Sequence, residues 1–323
     1  ISNHNNSRLA RRMKVVVTGG AGFIGSFLVD HLAEVYPGEI VVIDNLFRGK
    51  KDRLLNNIES GKVRFIQGDI RQKAFLEEVF KDCEVVFHLA AQSNVLGAVG
   101  DLDYSFSTNV IGTYNVLSAA KENGVKRLVF SSSREVYGEP KSLPVSEETP
   151  LTAKNAYGAS KIAGEVYCRV FANLGLETVI LRLANVIGPR DTERVIPLFI
   201  NQILDSQPIC VFGKNKVLDF VGVKDVVSLI VKVGFQEEWV NQPINCGSGV
   251  GTKLVHLAEY LVDLIGKPNE INIAPPRQHE VDGFVADIDK AKQYLGFQPN
   301  TDLGLLLPEI IDYWQDQRRA MGA

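Results

Sequence analysis

The chain has 323 residues, 45% hydrophobic and 23% charged, with a formal net charge of −3. That is the composition of an ordinary globular protein with room for two lobes, and its charge gives no field to hold nucleic acid or an anionic membrane. No apolar run reaches the roughly 18 residues of a membrane span, and Cys83, Cys168, Cys210 and Cys246 lack the C-x-x-C spacing of a zinc or redox site. We therefore expect buried free thiols, a cytoplasmic protein and no metal.

Residues 1–12 (ISNHNNSRLARR) are polar and precede Met13. They read as a disordered or expression-derived extension outside the fold. From Lys14, short β-branched runs at 14–18, 40–43, 63–67, 84–89, 127–131 and 177–183 alternate with helix-length stretches. Their almost uninterrupted apolar character predicts an α/β fold: a doubly wound parallel sheet with helices on both faces.

Between the first strand and its helix, Gly19, Gly22 and Gly25 are spaced by two residues, and Gly20, Gly22 and Gly25 fit G-x-G-x-x-G. A tight glycine turn there lets backbone N–H groups at a helix N-terminus hold a pyrophosphate, the fingerprint of a Rossmann dinucleotide site. Asp44 ends the second strand about 20 residues on, where a carboxylate accepts from ribose hydroxyls and repels a 2′-phosphate. The expected cofactor is NAD, with Arg48 nearby as the one opposing sign. Asp69 suits either the adenine amino group or a helix cap. His88 reads as a packed residue at a strand end, and Ala90 and Ala91 let the backbone approach the cofactor.

A helix predicted at 105–123 carries Val110, Tyr114, Leu117 and Ala120 on one stripe, and another is predicted at 156–174. Both fit a homodimer interface, and an internal core equally. Ser131-Ser132-Ser133 follows the fifth strand, and Tyr157 and Lys161 stand one helical turn apart. A phenol of pKa about 10, lowered by an ammonium and a nicotinamide charge, can take a hydroxyl proton as hydride leaves carbon. Ser133 would bond the same oxygen, and Lys161 would also hold the nicotinamide ribose.

Beyond Arg182 the alternation breaks, with strand-like pieces near 209–212 and 217–221. We expect 13–183 plus 223–249 to form the NAD-binding domain, including a helix at 225–233 and a strand at 244–246. Residues 184–222 plus 250–323 would form a smaller substrate-binding lobe.

With these motifs the chain resembles the extended short-chain dehydrogenase/reductases, in particular the NAD-dependent nucleotide-sugar epimerases and dehydratases. The likeness runs from Lys14 almost to the C-terminus, through Thr18–Gly25, Asp44-Asn45, Gly68-Asp69, His88–Ala91, Asn109, Ser131–Ser133, Tyr157–Lys161, Arg182–Val186 and Gly188–Arg190. It implies a retained NAD, a nucleoside-diphosphate sugar as substrate, and a dimer. It places Gly19, Gly22, Phe23, Ile24, Gly25, Asp44, Asn45, Asp69, Ile70, Leu89, Ala90, Ala91, Asn109, Ser131, Tyr157 and Lys161 on the cofactor. Substrate contacts fall to Ser93, Ser133, Arg134, Asn185 (diphosphate), Phe212 (nucleobase) and Arg277 (phosphate). Leu218 stands where the resemblance implies a second phosphate arginine; Lys214 and Lys216 are the candidate substitutes, as point charges.

The pair after Ser133 bears on the reaction. The resembling dehydratases carry Asp-Glu there, decarboxylases keep the Glu, and epimerases have small uncharged residues; this chain has Arg134-Glu135. Arginine stays protonated and cannot serve as the acid, whereas Glu135 is a candidate base or an ion-pair partner. The leading expectation is a UDP-hexose 4-epimerase working through a 4-keto intermediate, similar to the microbial UDP-glucose 4-epimerases. The alternatives are a 4,6-dehydratase, a UDP-uronic acid decarboxylase, or a catalytically silent NAD-binding sensor or scaffold.

Overall fold

The computed structural model describes residues 13–93, 95–238 and 240–322. The extension at 1–12 lies outside the described residues. Six strands arise where the β-branched runs were read: β1 (Lys14–Thr18), β2 (Glu39–Asp44), β3 (Val63–Gln67), β4 (Cys83–His88), β5 (Arg127–Ser133) and β6 (Glu177–Leu183). Later come β7 (Asn185–Ile187), β8 (Ile209–Phe212), β9 (Val217–Gly222), β10 (Ile244–Cys246), β11 (Gly251–Lys253) and β12 (Ile271–Ala274). Seven strands form one parallel sheet in the order β10-β6-β5-β4-β1-β2-β3.

The alternation of a strand explains why both faces are apolar. Val15, Val17, Ile40, Val42 and Phe87 feed one core, which takes in Leu28 and Leu32 of the helix Phe23–Val35. Val16, Val41, Ile43, Val86, Leu128 and Phe130 point to the other, against Val116, Leu117 and Ala120. Strand order reverses beside β1, so β1 and β4 send their following loops to opposite sides and leave a crevice at their carboxyl ends.

The stretch read as one helix over 105–123 is composite. Helices Leu102–Phe106 and Thr113–Glu122 flank a wide π-type segment, Ser107–Gly112. The extra backbone width there accompanies an inward Asn109, fully committed to hydrogen bonds. The predicted stripe also divides: Leu117 and Ala120 are buried, whereas Tyr114 faces outward with Ile111.

The helix Val223–Phe235 packs on Phe23–Val35, and β10 adds to β6 at the sheet edge. The sheets β11-β9-β7 and β12-β8 enclose a third core of Phe199, Ile200, Val211, Leu257, Leu261 and Ile310. Phe284, Ala286, Ile288, Ala291, Leu295 and Phe297, in the part expected to form the smaller lobe, pack into the core of the large sheet. Their alternating apolar spacing meets β10 and the helix above it, a match of surfaces distant in sequence. Among the described residues no helix is long and apolar enough to cross a membrane.

One polar cluster crosses this apolar interior. Arg182 on β6 donates through Nε and Nη2 to Glu165 at 2.9 and 2.7 Å, and Ser132 on β5 donates to the same carboxylate at 2.6 Å. Arg182 also reaches the Tyr137 hydroxyl at 2.9 Å, which donates to Asn245 on β10 at 2.7 Å. Removing one member of such a pair strands the other without solvent. Glu165→Ala should cost about 3–5 kcal/mol in denaturant unfolding; an unchanged midpoint would show that Arg182 finds another partner.

Candidate active site

The carboxyl ends of β1, β4, β5 and β6 open on one cleft of about 460 Å³. Gly19 sits at φ +74°, and a Cβ there would lie 2.6 Å from the Ala90 backbone nitrogen. A Cβ on Gly25 would lie 2.1 Å from the Gly19 carbonyl oxygen. The turn is thus closed against itself and against the loop after β4, so only glycine fits. Gly22 begins the helix Phe23–Val35 with no side chain capping it, leaving the terminus to a ligand.

Asp44 accepts from the backbone N–H of Ala21 at 3.0 Å and of Leu46 at 2.8 Å. Burial raises its pKa, while these bonds and Arg53 oppose the rise. Arg48 donates to Ser93 Oγ at 2.8 Å and pairs with Glu193, so its guanidinium is already engaged beside Asp44.

Two residues expected on the cofactor are also held by the protein's own groups. Asp69 is gripped by Arg71 at 2.9 and 2.8 Å and by Asn45 at 3.1 Å; Arg71 chiefly holds its carboxyl down at about 2. It neither lines the cleft nor caps the next helix, Lys73–Val79, whose cap position is Gln72. Asn109 accepts from the Gln92 N–H at 2.7 Å and donates to the Gln92 carbonyl and Ser160 Oγ, both at 3.0 Å. It braces the loop after β4 against the helix Ala156–Asn173. Gly19, Gly22, Phe23, Ile24, Gly25, Asp44, Asn45, Ile70, Leu89, Ala90, Ala91, Ser93 and Ser131 all line the cleft.

His88 bonds Thr18 Oγ1 at 2.7 Å and Thr113 Oγ1 at 3.0 Å. Burial, aided by Lys161, pushes its pKa down to about 3, so it is a neutral packing residue as the sequence suggested.

Ser133 ends β5, and Tyr157 and Lys161 come from the first turns of Ala156–Asn173, whose start is fixed by the Asn155 side chain accepting from Gly158 N–H at 2.8 Å. All three line the cleft. Lys161 Nζ donates to the Ser131 carbonyl at 2.7 Å and lies 5.7 Å from the Tyr157 ring centre. Burial lowers its pKa to about 8, against the pull of Cys168 and Glu165.

The expected lowering of Tyr157 does not follow from the protein's own groups. Burial pushes its phenol up to about 12 and Glu135 adds to the rise, outweighing Arg194, a hydrogen bond with Ser133, and Arg48. The ammonium of Lys161 is turned to the Ser131 carbonyl, and the phenol loses more hydration than those cations return.

Glu135 is buried with both oxygens taken, Oε1 by Arg134 Nη2 at 2.9 Å and Oε2 by Asn155 Nδ2 at 2.8 Å. Arg134 Nε donates to Asn185 Oδ1 at 3.3 Å, and Asn185 donates to the Asp219 carbonyl at 3.0 Å. Farther along, Arg277 stacks over Phe212 at 3.8 Å. Glu280 joins Arg277 at 2.9 Å and Lys216 at 2.6 Å. Burial would raise Glu280, but the two cations outweigh it and lower its pKa. Leu218 is a buried wall of the cleft; Lys216, two residues earlier, lines it, and Lys214 is exposed outside.

Sequence reasoning missed the segment Asp191–Arg194, which lines the cleft and returns to the large sheet through Arg48–Glu193. Arg190, at φ +68°, pairs with Asp30 at 2.7 Å, and Arg53 donates to its carbonyl at 2.7 Å. The run of charges after Gly188-Pro-Arg was its only signal. The four cysteines are free, and no group of potential metal ligands occurs among the described residues.

Comparison with known proteins agrees with this geometry. The model of the NAD dependent epimerase/dehydratase family matches residues 15–247. A putative UDP-glucose 4-epimerase of Methanocaldococcus jannaschii is 38% identical over 94% of the chain and 99% of its own length. The solved UDP-glucose 4-epimerase of Thermotoga maritima with UDP-glucose superposes with a TM-score of 0.88 at 34% identity, covering 94% of this chain and 99% of that one. The UDP-glucuronic acid 4-epimerase of Bacillus cereus, in complex with UDP-glucuronic acid and NAD, gives 0.90 at 29%, covering 94% and 100%. A glycine turn that admits a pyrophosphate, Asp44 at the second strand, and Ser133, Tyr157 and Lys161 around one cleft accompany that likeness; the chain belongs to the NAD dependent epimerase/dehydratase family and is an NAD-dependent enzyme.

Proposed function

We propose that the protein is a UDP-hexose 4-epimerase acting through a 4-keto sugar. The observation that carries this reading is the closure of Glu135 by Arg134 and Asn155. A lyase route through C5 needs a free base and a proton donor at this place, and here the carboxylate is occupied and its neighbour is a guanidinium. What remains is proton transfer at one carbinol.

NAD, when bound along the Gly19–Gly25 turn, supplies the acceptor and later the donor of the hydride. Tyr157 takes the proton of the C4 hydroxyl as C4 is oxidised and returns it to the same oxygen when the turned 4-keto sugar is reduced on its opposite face. Ser133 holds the same oxygen and shares a hydrogen bond with Tyr157. Arg194 and Arg48 favour the phenolate electrostatically. Lys216 and Arg277 offer two cations to the diphosphate, and Phe212 a ring face to the uracil.

We further propose a homodimer through the exposed face shared by Thr113–Glu122 and Ala156–Asn173. Ile111, Tyr114, Val166, Tyr167 and Val170 stand exposed together, with the rings of Tyr114 and Tyr167 5.4 Å apart. Contiguous apolar surface of this kind marks an interface.

Three outcomes test these statements. Chromatography of UDP-glucose incubated with the holoenzyme should show UDP-galactose, and Tyr157→Phe should slow this by at least about 100-fold, the low end of general acid–base effects, with NAD retained. A 4-keto-6-deoxy product or released carbon dioxide would reject the 4-epimerase. Lys161→Met should abolish turnover yet stabilise the fold by about 1–3 kcal/mol at neutral pH, because each tenfold change in proton affinity is about 1.4 kcal/mol. The sign follows from a folded pKa of about 8 below the ordinary 10.5: the cost of burying the ammonium is full below pH 8 and fades as pH rises to 10.5, so the melting difference must shrink across that window. Finally, Tyr114→Glu with Val170→Glu should give monomers by light scattering; a parent protein that is already monomeric would refute the dimer.

A further inference from the structure

Arg134 holds a donor that nothing in the protein uses. Its Nε bonds Asn185 and its Nη2 bonds Glu135, while the guanidinium lies 5.8 Å from the Phe284 ring centre. Nη1 is buried and has no hydrogen-bond partner. Asn185 on β7, the adjacent Glu135 and the Phe284 ring fix the plane of the group, so this N–H cannot swing to water without breaking those contacts. A buried donor left unmet is costly, and in a native protein it calls for an acceptor. Arg134 follows Ser133 directly and lines the same cleft as Tyr157, so that acceptor belongs to the ligand beside the reacting carbon.

The surroundings of Arg134 select the kind of acceptor. Glu135 already sits 2.9 Å from the guanidinium and neutralises it, and Asn155 holds Glu135 from the far side at 2.8 Å. A second carboxylate at Nη1 would meet a spent charge and the repulsion of Glu135 inside a poorly hydrated site. A hydroxyl or carbonyl oxygen needs only the N–H.

We propose that Arg134 is a specificity-determining residue whose Nη1 donates to an uncharged oxygen of the substrate sugar, while Glu135 behind it disfavours a sugar carboxylate at that place. The nucleotide-sugar nature of the substrate is taken from the function proposed above. Arg134 therefore separates neutral hexoses from uronic acids.

Calorimetry of the NAD-loaded protein with UDP, UDP-glucose and UDP-glucuronate tests this without requiring turnover. The parent should bind UDP-glucose at least about tenfold more tightly than UDP-glucuronate, the discrimination one charge-assisted hydrogen bond supplies. Arg134→Gln should weaken UDP-glucose by roughly 10- to 100-fold with UDP unchanged. Glu135→Gln should narrow the preference by improving UDP-glucuronate. Arg134→Lys, which keeps the ion pair but lacks the second N–H fork, decides the matter if the Gln variant fails to retain NAD, and it too should lose affinity for UDP-glucose alone. Equal affinity of the parent for both sugars, tighter binding of UDP-glucuronate, or an equal loss for UDP and both sugars in the variants would overturn the assignment. Parallel chromatography separates the two claims: selective binding with no C4 inversion sinks the 4-epimerase and leaves the role of Arg134 intact.

Discussion

The buried ion pair between Arg182 and Glu165 sets the position of the chemistry. Glu165 lies one helical turn beyond Lys161 on the helix that begins with Tyr157, while Arg182 and Ser132 belong to adjacent strands that end at the cleft. Because both oxygens of Glu165 are committed, the helix can neither rotate nor slide against β5 and β6 without leaving a charge unpaired. Ser133 is therefore held opposite Tyr157 by an interaction one layer beneath both. Tyr137 and Asn245 carry the same network to β10, so the edge of the sheet is registered with its middle. An apolar replacement of comparable volume could match the stability but would not specify that register.

Charge is arranged locally within a chain whose total is slightly negative. Eight cationic side chains and five acidic ones line the cleft. Most of the acids are already paired: Glu193 with Arg48, Glu135 with Arg134, and Glu280 with both Lys216 and Arg277. Each pair aims its cation in one direction, and Glu280 keeps the buried Lys216 solvated by protein. The displacement of positive charge from the Leu218 position to Lys216 follows strand geometry, since residues two apart share a face. The charge moves along one wall of the cleft and remains with Glu280.

Much of this was legible in the sequence because it depends on local rules. The strands show as β-branched runs, the glycine turn as a spacing with a steric cause, and Tyr157 with Lys161 as one helical turn. The motif positions of Asn109 and Asp69 were visible in the sequence, while their protein partners, Gln92, Ser160 and Arg71, were not. Glu135 was left open between base and ion-pair partner, and its second contact, Asn155, lies 20 residues away. That Phe284–Phe297 would pack into the core of the large sheet was not legible for the same reason: its apolar spacing is clear, but the surface it meets is distant in sequence.

The raised pKa of Tyr157 then has a mechanistic consequence. A phenol that the protein alone holds near 12 is a poor base at neutral pH, and Lys161 near 8 carries a charge that is already costly to bury. Neither group is set for reaction by its side-chain neighbours. A cationic nicotinamide beside them would lower the phenol, and a ribose hydroxyl near Lys161 would restore some of the ammonium's lost solvation. Proton abstraction by Tyr157 would thereby be tied to a cationic ring, and a neutral ring would leave the phenol with the higher proton affinity an acid needs in the return step. Burial of Tyr157, which looks unfavourable for a base, would make its proton affinity sensitive to the charge of a bound cofactor.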